Sequence, residues 1–125
     1  MHVLRKFREA VVRDGILLDL QVIRPHPQIE SEGRVVYVAD GSPLFKGADA
    51  ARTAVDLLIA EGLLVEDAVD DHDLLKHHDS GADLLADWPP KRATPATETA
   101  AFLRTITAEC VVRERCRLRK LRRVG

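Results

Sequence analysis

The sequence predicts an α/β domain: a small mixed sheet of three to four strands flanked by helices. Three observations carry that expectation. From Ala48 to Glu61 apolar residues recur at helical spacing, with Ala51, Val55, Leu58 and Ile59 on one face and Asp49, Arg52 and Asp56 on another. The run ILLDLQVI, Ile16 to Ile23, is short, branched and almost wholly apolar, the pattern of a strand covered on both faces. The C-terminal CVVRERCRLRKL alternates: Arg113, Arg115, Arg117 and Arg119 fall on one side of a strand, and Val112, Cys116 and Leu118 on the other.

The remaining elements follow in chain order. Val3, Leu4, Phe7, Ala10 and Val11 predict an amphipathic helix that starts almost at Met1 and stops at Gly15. The Ile16–Ile23 strand ends at Arg24-Pro25-His26-Pro27, because neither proline can donate to a ladder. In RVVYVADGSPLF, residues 34–45, Asp40-Gly41 between two apolar runs predicts a short hairpin. Gly62 closes the helix of residues 48–61. The next segment, LLVEDAVDDHDLLKHHD, opens as a strand with Leu63, Val65 and Val69 two or four apart. Ser80, three residues before Asp83, resembles a capping box for a short helix that ends at Trp88-Pro89-Pro90. Thr94-Pro95 predicts an N-cap followed by proline at the first position of a last helix, with Leu103 and Ile106 inward.

At 125 residues the chain suffices for one modest core, so residues 1–125 are expected to form one domain. An apolar content of 46 % with 31 % charged residues excludes intrinsic disorder. A net charge of −1 and only five Trp, Tyr and Phe residues argue against a nucleic-acid platform. The start MHVLRKF lacks the apolar core of a signal peptide, and no apolar run approaches the ~18 residues of a membrane span. The expectation is a cytoplasmic chain with no membrane partner. Cys110 and Cys116 lie six apart, about 20 Å along a strand or about 9 Å along a helix. Both exceed the ~7 Å limit for a bridge, so free buried thiols are expected.

The order of helix, apolar strand, insert, helix, strand, helices and alternating strand resembles the C-terminal half of a class I S-adenosylmethionine-dependent methyltransferase, a Rossmann-like fold. LRKFREAVVRDGILLDL looks like that family's helix and fifth strand, GLLVEDAVDDHDLLKHHDSGADLL like the sixth strand and the turn after it. VVRERCRLRKL would be the antiparallel seventh strand. The family binds its cofactor on a glycine-rich turn after the first strand. Here no two of the seven glycines are closer than six positions, and Arg13-Asp14-Gly15 stands where the family has a proline and paired glycines. The resemblance therefore implies a truncated or split methyltransferase, with four strands missing before Met1. The isolated chain should bind no cofactor and lack catalysis; S-adenosylmethionine would enter only if a missing N-terminal half were supplied.

VDDHDLLKHHD, residues 69–79, holds three of the five histidines. It lacks H-E-x-x-H and C-x-x-C, so a metal site is not expected. The plainest reading is a solvated turn between strand and helix. A functional reading competes with it: in a parallel arrangement the C-terminal strand ends share one edge, where open α/β sheets bind ligands. Arg24, His26, Asp73, His77 and His78 are then the candidates for a substrate rim.

Seven Lys and Arg against the single Glu114 between Arg113 and Arg123 could contact phosphates. Pairing that segment antiparallel with the acidic 63–73 strand would neutralise both, and is preferred. The alternative to a methyltransferase half is a non-enzymatic interaction module that binds a protein partner, or less favourably nucleic acid, through this basic strand. In either case the apolar Ile16–Ile23 strand needs a cover on its open edge, from a homodimer, a separate chain or the hairpin.

Overall fold

The computed structural model of the chain describes residues 12–90 and 92–125. Its elements are β1 (Ile16–Val22), β2 (Gln28–Ser31), β3 (Arg34–Val38), α1 (Ser42–Ala60), β4 (Leu64–His78), α2 (Gly81–Ala86), α3 (Thr97–Arg104) and β5 (Cys110–Arg123). The helix expected over Val3–Val11 lies outside the described residues. No helix among the described residues is long and apolar enough to cross a membrane.

The domain is mixed α/β, built on one five-stranded sheet in the order β1-β5-β2-β3, with β4 on the other side of β5. The 14-residue β5 is its spine. One edge of β5 carries β1 opposite residues 116–122 and then β2 opposite 110–113. Its other edge carries β4 along its whole length, from Leu64↔Arg123 to His78↔Cys110. This corrects two expectations. There are five strands instead of three to four, and every pairing among the described residues is antiparallel. The reason is that β5 enters between β1 and β4. These two point the same way, but each meets only the oppositely directed spine.

The hairpin sits elsewhere than expected. It joins β2 and β3 through Glu32-Gly33, both at positive φ (52° and 75°), with Ser31 opposite Arg34. Two central residues of that kind suit the strand twist. Asp40-Gly41 instead introduces α1: the Asp40 carboxylate accepts from the Ser42 N–H at 2.9 Å, and Pro43 falls in the first turn, where its missing N–H costs nothing. Gly62, at φ 76°, ends that helix as expected. Ser80 caps α2 by accepting from the Asp83 N–H at 3.1 Å, while α3 starts at Thr97 behind Ala96, two residues past the expected proline start.

The helices cover opposite faces of the sheet at opposite ends. On the face of the odd-numbered β5 residues, α1 packs Val55 and Leu58 onto Leu121, Leu63 and Leu64. On the other face, Leu84 of α2 closes over Ile29, Cys110 and Val112 beside Trp88 and Ile106. Burying side chains of this size contributes about 1.5–3 kcal/mol each. Among the described residues, two quarters of the sheet carry no helix. One, beyond α1, carries the arginines. The other, beyond α2 and α3, carries Ile16, Leu18 and Leu20.

Candidate functional site

The arginine quarter follows from register. Antiparallel pairing sets Asp71 opposite Arg117 and Asp73 opposite Arg115. Side chains of directly opposed residues share a face, so the acidic β4 and basic β5 interlock as ion pairs. Arg117 binds Asp71 through both Nε and Nη2, at 2.8 and 3.0 Å. Arg113 and Arg115 share Asp73, at 2.9 and 3.2 Å, and Arg113 also reaches Glu30 at 2.6 Å. Arg119, buried beside α1, holds Asp56 and Glu66, and Arg122 holds Asp67. The bond from Arg117 holds the Asp71 carboxyl below the usual carboxylate range, and those from Arg113 and Arg115 do the same for Asp73.

The five rim candidates part company here. Arg24 is taken by Asp49 of α1, at 3.1 and 3.2 Å, and its guanidinium lies 4.9 Å from the Phe45 ring centroid. His26 Nδ1 accepts the Gly41 N–H at 3.0 Å, which puts the proton of the neutral ring on Nε2. His26 and Asp73 do meet, lining a recess of about 280 Å³ with Arg113 and Arg115. His77 turns to Glu109 at 3.2 Å on the arginine face, whereas His78 is buried on the opposite face, 4.0 Å from Asp83. His72 pairs with Asp70 at 3.0 Å.

The 69–79 segment is thus strand through His78, which corrects its reading as a solvated turn. Strand alternation sends His77 and His78 to opposite faces, and the three histidines do not converge. Among the described residues no three His, Cys, Asp or Glu side chains gather to hold a metal ion. In the recess shared by His26 and Asp73, the aspartate, held ionised by two guanidinia, is a weak general base at neutral pH. Both cysteines are free and buried, and burial pushes their thiols up, away from the reactive thiolate.

The apolar quarter overturns an expectation. Among the described residues β1 is an edge strand, paired only with β5 and covered on one face alone. Asp19 and Gln21 point to the α1 side. Ile16, Leu18 and Leu20 point away from it and are 59 %, 64 % and 53 % exposed. Backbone bonds give the edge its polarity. The Ile23 N–H binds the Arg115 carbonyl and the Gly15 carbonyl takes the Arg123 N–H, so odd-numbered residues bond inward to β5. In an antiparallel ladder the even-numbered residues then present their N–H and C=O groups outward. A cleft of about 460 Å³, lined by Leu20, Val22, Pro43, Leu44 and Gly47 among others, separates this edge from the start of α1.

The contrast with β4 is chemical. The outer strand β4 carries a register shift between Glu66 and Ala68 and exposes Asp67, Asp70, Asp71 and Asp73, devices that discourage strand addition. β1 has Asp19 alone. The signal for this site lay in the alternation Leu18-Asp19-Leu20-Gln21-Val22, a period-two pattern within the apolar run.

Comparison with family models, with curated proteins and with solved structures finds no match to this chain.

Proposed function

We propose that this chain is a small non-enzymatic interaction module that takes an extended protein segment on the outer edge of β1. The observation that carries the reading is the outward N–H and C=O row of Leu18, Leu20 and Val22, flanked by exposed leucines and an open cleft. Strand addition draws affinity from such main-chain bonds and specificity from alternate side chains. The basic strand is not the binding element in this reading. It is the sheet's spine, and its arginines at 113, 115, 117, 119 and 122 each have a carboxylate partner.

The probe is a soluble peptide of alternating valine and threonine, titrated onto the labelled protein with amide shifts recorded. Shifts centred on Ile16–Val22, abolished by Leu20→Lys, support the reading. Saturating peptide with no shift in β1 contradicts it.

A second reading keeps the methyltransferase half implied by the sequence, truncated or split and dependent on a separate N-terminal half for S-adenosylmethionine. Its support is the antiparallel seating of β5 beside β4, the place assigned to the seventh strand. Under this reading the β1 edge waits for the missing strands of the sheet. Calorimetric titration of the isolated chain with S-adenosylmethionine should give no heat of binding. Micromolar affinity, competed by the demethylated product, would contradict it.

A further inference from the structure

We infer that the segment β1 receives is the β1 of a second copy, paired antiparallel about a two-fold axis through Leu20. This rests on the strand-addition reading above and adds the identity of the partner and the register.

Self-pairing must bring outward-bonding residues opposite one another, which restricts the axis to registers centred on a residue. Three of them overlap the strands well. Centring on Asp19 sets that carboxylate opposite its own copy, in the closer class of pair with about 4.5 Å between Cα atoms. Like charges in that position repel. Centring on Leu18 sets Asp19 opposite Leu17, a carboxylate against a side chain packed into the core. Centring on Leu20 sets Asp19 opposite Gln21, Leu18 opposite Val22 and Leu20 opposite itself.

Of the three, only this register matches every residue of its strand overlap, 18–22, with a compatible one. The Gln21 amide already donates to the Asp19 carboxylate of its own strand at 3.0 Å, so the two groups have the right chemistry for a cross-strand bond. On the other face, Leu18, Leu20 and Val22 of the two copies form one apolar row. The cleft between β1 and the start of α1 leaves room for the incoming strand. A net charge of −1 per chain sets no overall repulsion against the pairing. The result is a continuous antiparallel sheet in which the long β1 edge disappears, while the acid-lined β4 edges and the short β3 edges stay open.

Sedimentation equilibrium and cysteine cross-linking test the inference together. The wild-type chain should sediment as a dimer. In the Leu20-centred register, Leu20→Cys places two Cα atoms about 5.5 Å apart, within disulfide range. It should therefore oxidise to a covalent dimer. Leu18→Cys places them about 13 Å apart and should not. Native Cys110 and Cys116 are buried and stay out of the reaction. Leu20→Lys, shown folded by circular dichroism, should weaken the dimer at least about tenfold.

A wild-type chain monomeric at millimolar concentration overturns the inference, as does cross-linking through Leu18→Cys in preference to Leu20→Cys. A monomer that still binds the alternating peptide loses the second copy and keeps the interaction module. A monomer that binds none loses both. A monomer whose Leu20→Cys thiol is shielded from labelling has its edge covered from within its own chain, and that also overturns the inference.

Discussion

Asp71 and Arg117 face each other across the β4–β5 ladder, joined by two bonds of 2.8 and 3.0 Å between guanidinium and carboxylate. Both side chains are about one-third exposed, at 32 % and 38 %. Water competes with such a pair and long side chains must be ordered to form it. Asp71→Ala or Arg117→Ala should therefore move the midpoint of a urea titration only slightly. The pair's larger effect is on register, because a one-residue slip of β4 would turn its acids to the other face.

Arg92 and Glu114 behave differently. Their 2.7 Å bond lies with side chains 4 % and 16 % exposed, and the Arg92 guanidinium stacks 4.9 Å from a Trp88 ring centroid. That bond is made by Nη2, and the buried Arg92 Nε has no hydrogen-bond partner among the described residues. Glu114→Ala leaves that cation buried and uncompensated, so it should cost about 3 kcal/mol, several times the Asp71→Ala effect. The urea midpoint should fall with the slope unchanged.

Acid should unfold the domain by way of the ladder carboxylates. Bonds from Arg117 lower the folded-state pKa of Asp71, and bonds from Arg113 and Arg115 lower that of Asp73. Above the unfolded value, about 3.9, both states are ionised and the stabilisation is fully present. As pH falls below it, the unfolded chain binds protons first, and the contribution is lost on passing through the folded pKa. The melting temperature should fall below about pH 4. Asp73→Asn should make that fall shallower.

Gly81 opens α2 beneath the end of α3, where a Cβ would collide with the Leu103 carbonyl. The Gly81 N–H also binds the Ile106 carbonyl at 2.9 Å, so the two segments cannot separate without losing that bond. Gly81→Ala should destabilise by about 1–3 kcal/mol. Ser80→Ala, which removes only the cap, should cost about 1 kcal/mol. Thermal melts of the two variants compare them directly.

The sequence was legible where one physical cause dominated. The arginines of β5 show period two over a long run, and the acids of β4 complement them, so the pairing of these strands followed from charge and alternation alone. Gly62 and Ser80 carried local signals that tertiary structure had no reason to override. The hairpin was misplaced because Asp40-Gly41 is the stronger turn dipeptide, yet Asp40 is used to start α1 while Glu32-Gly33 makes the turn. The run Ile16–Ile23 was harder still. Its apolar character fits a central strand, its alternation at Asp19 and Gln21 a half-exposed one, and the placing of β5 decides for the edge. Of the rim, the meeting of His26 with Asp73 followed from β1 and β4 pointing the same way. The separation of His77 from His78 required knowing that the strand continues through both.

Hydrogen exchange along β1 reports whether its outer edge is filled. Leu17, Asp19 and Gln21 bond inward to β5 and should be protected at every protein concentration. The amides of Leu18, Leu20 and Val22 face outward, and their protection should rise as the concentration rises and the edge is filled. Free exchange at these three amides at all concentrations, with their odd-numbered neighbours still protected, would contradict it.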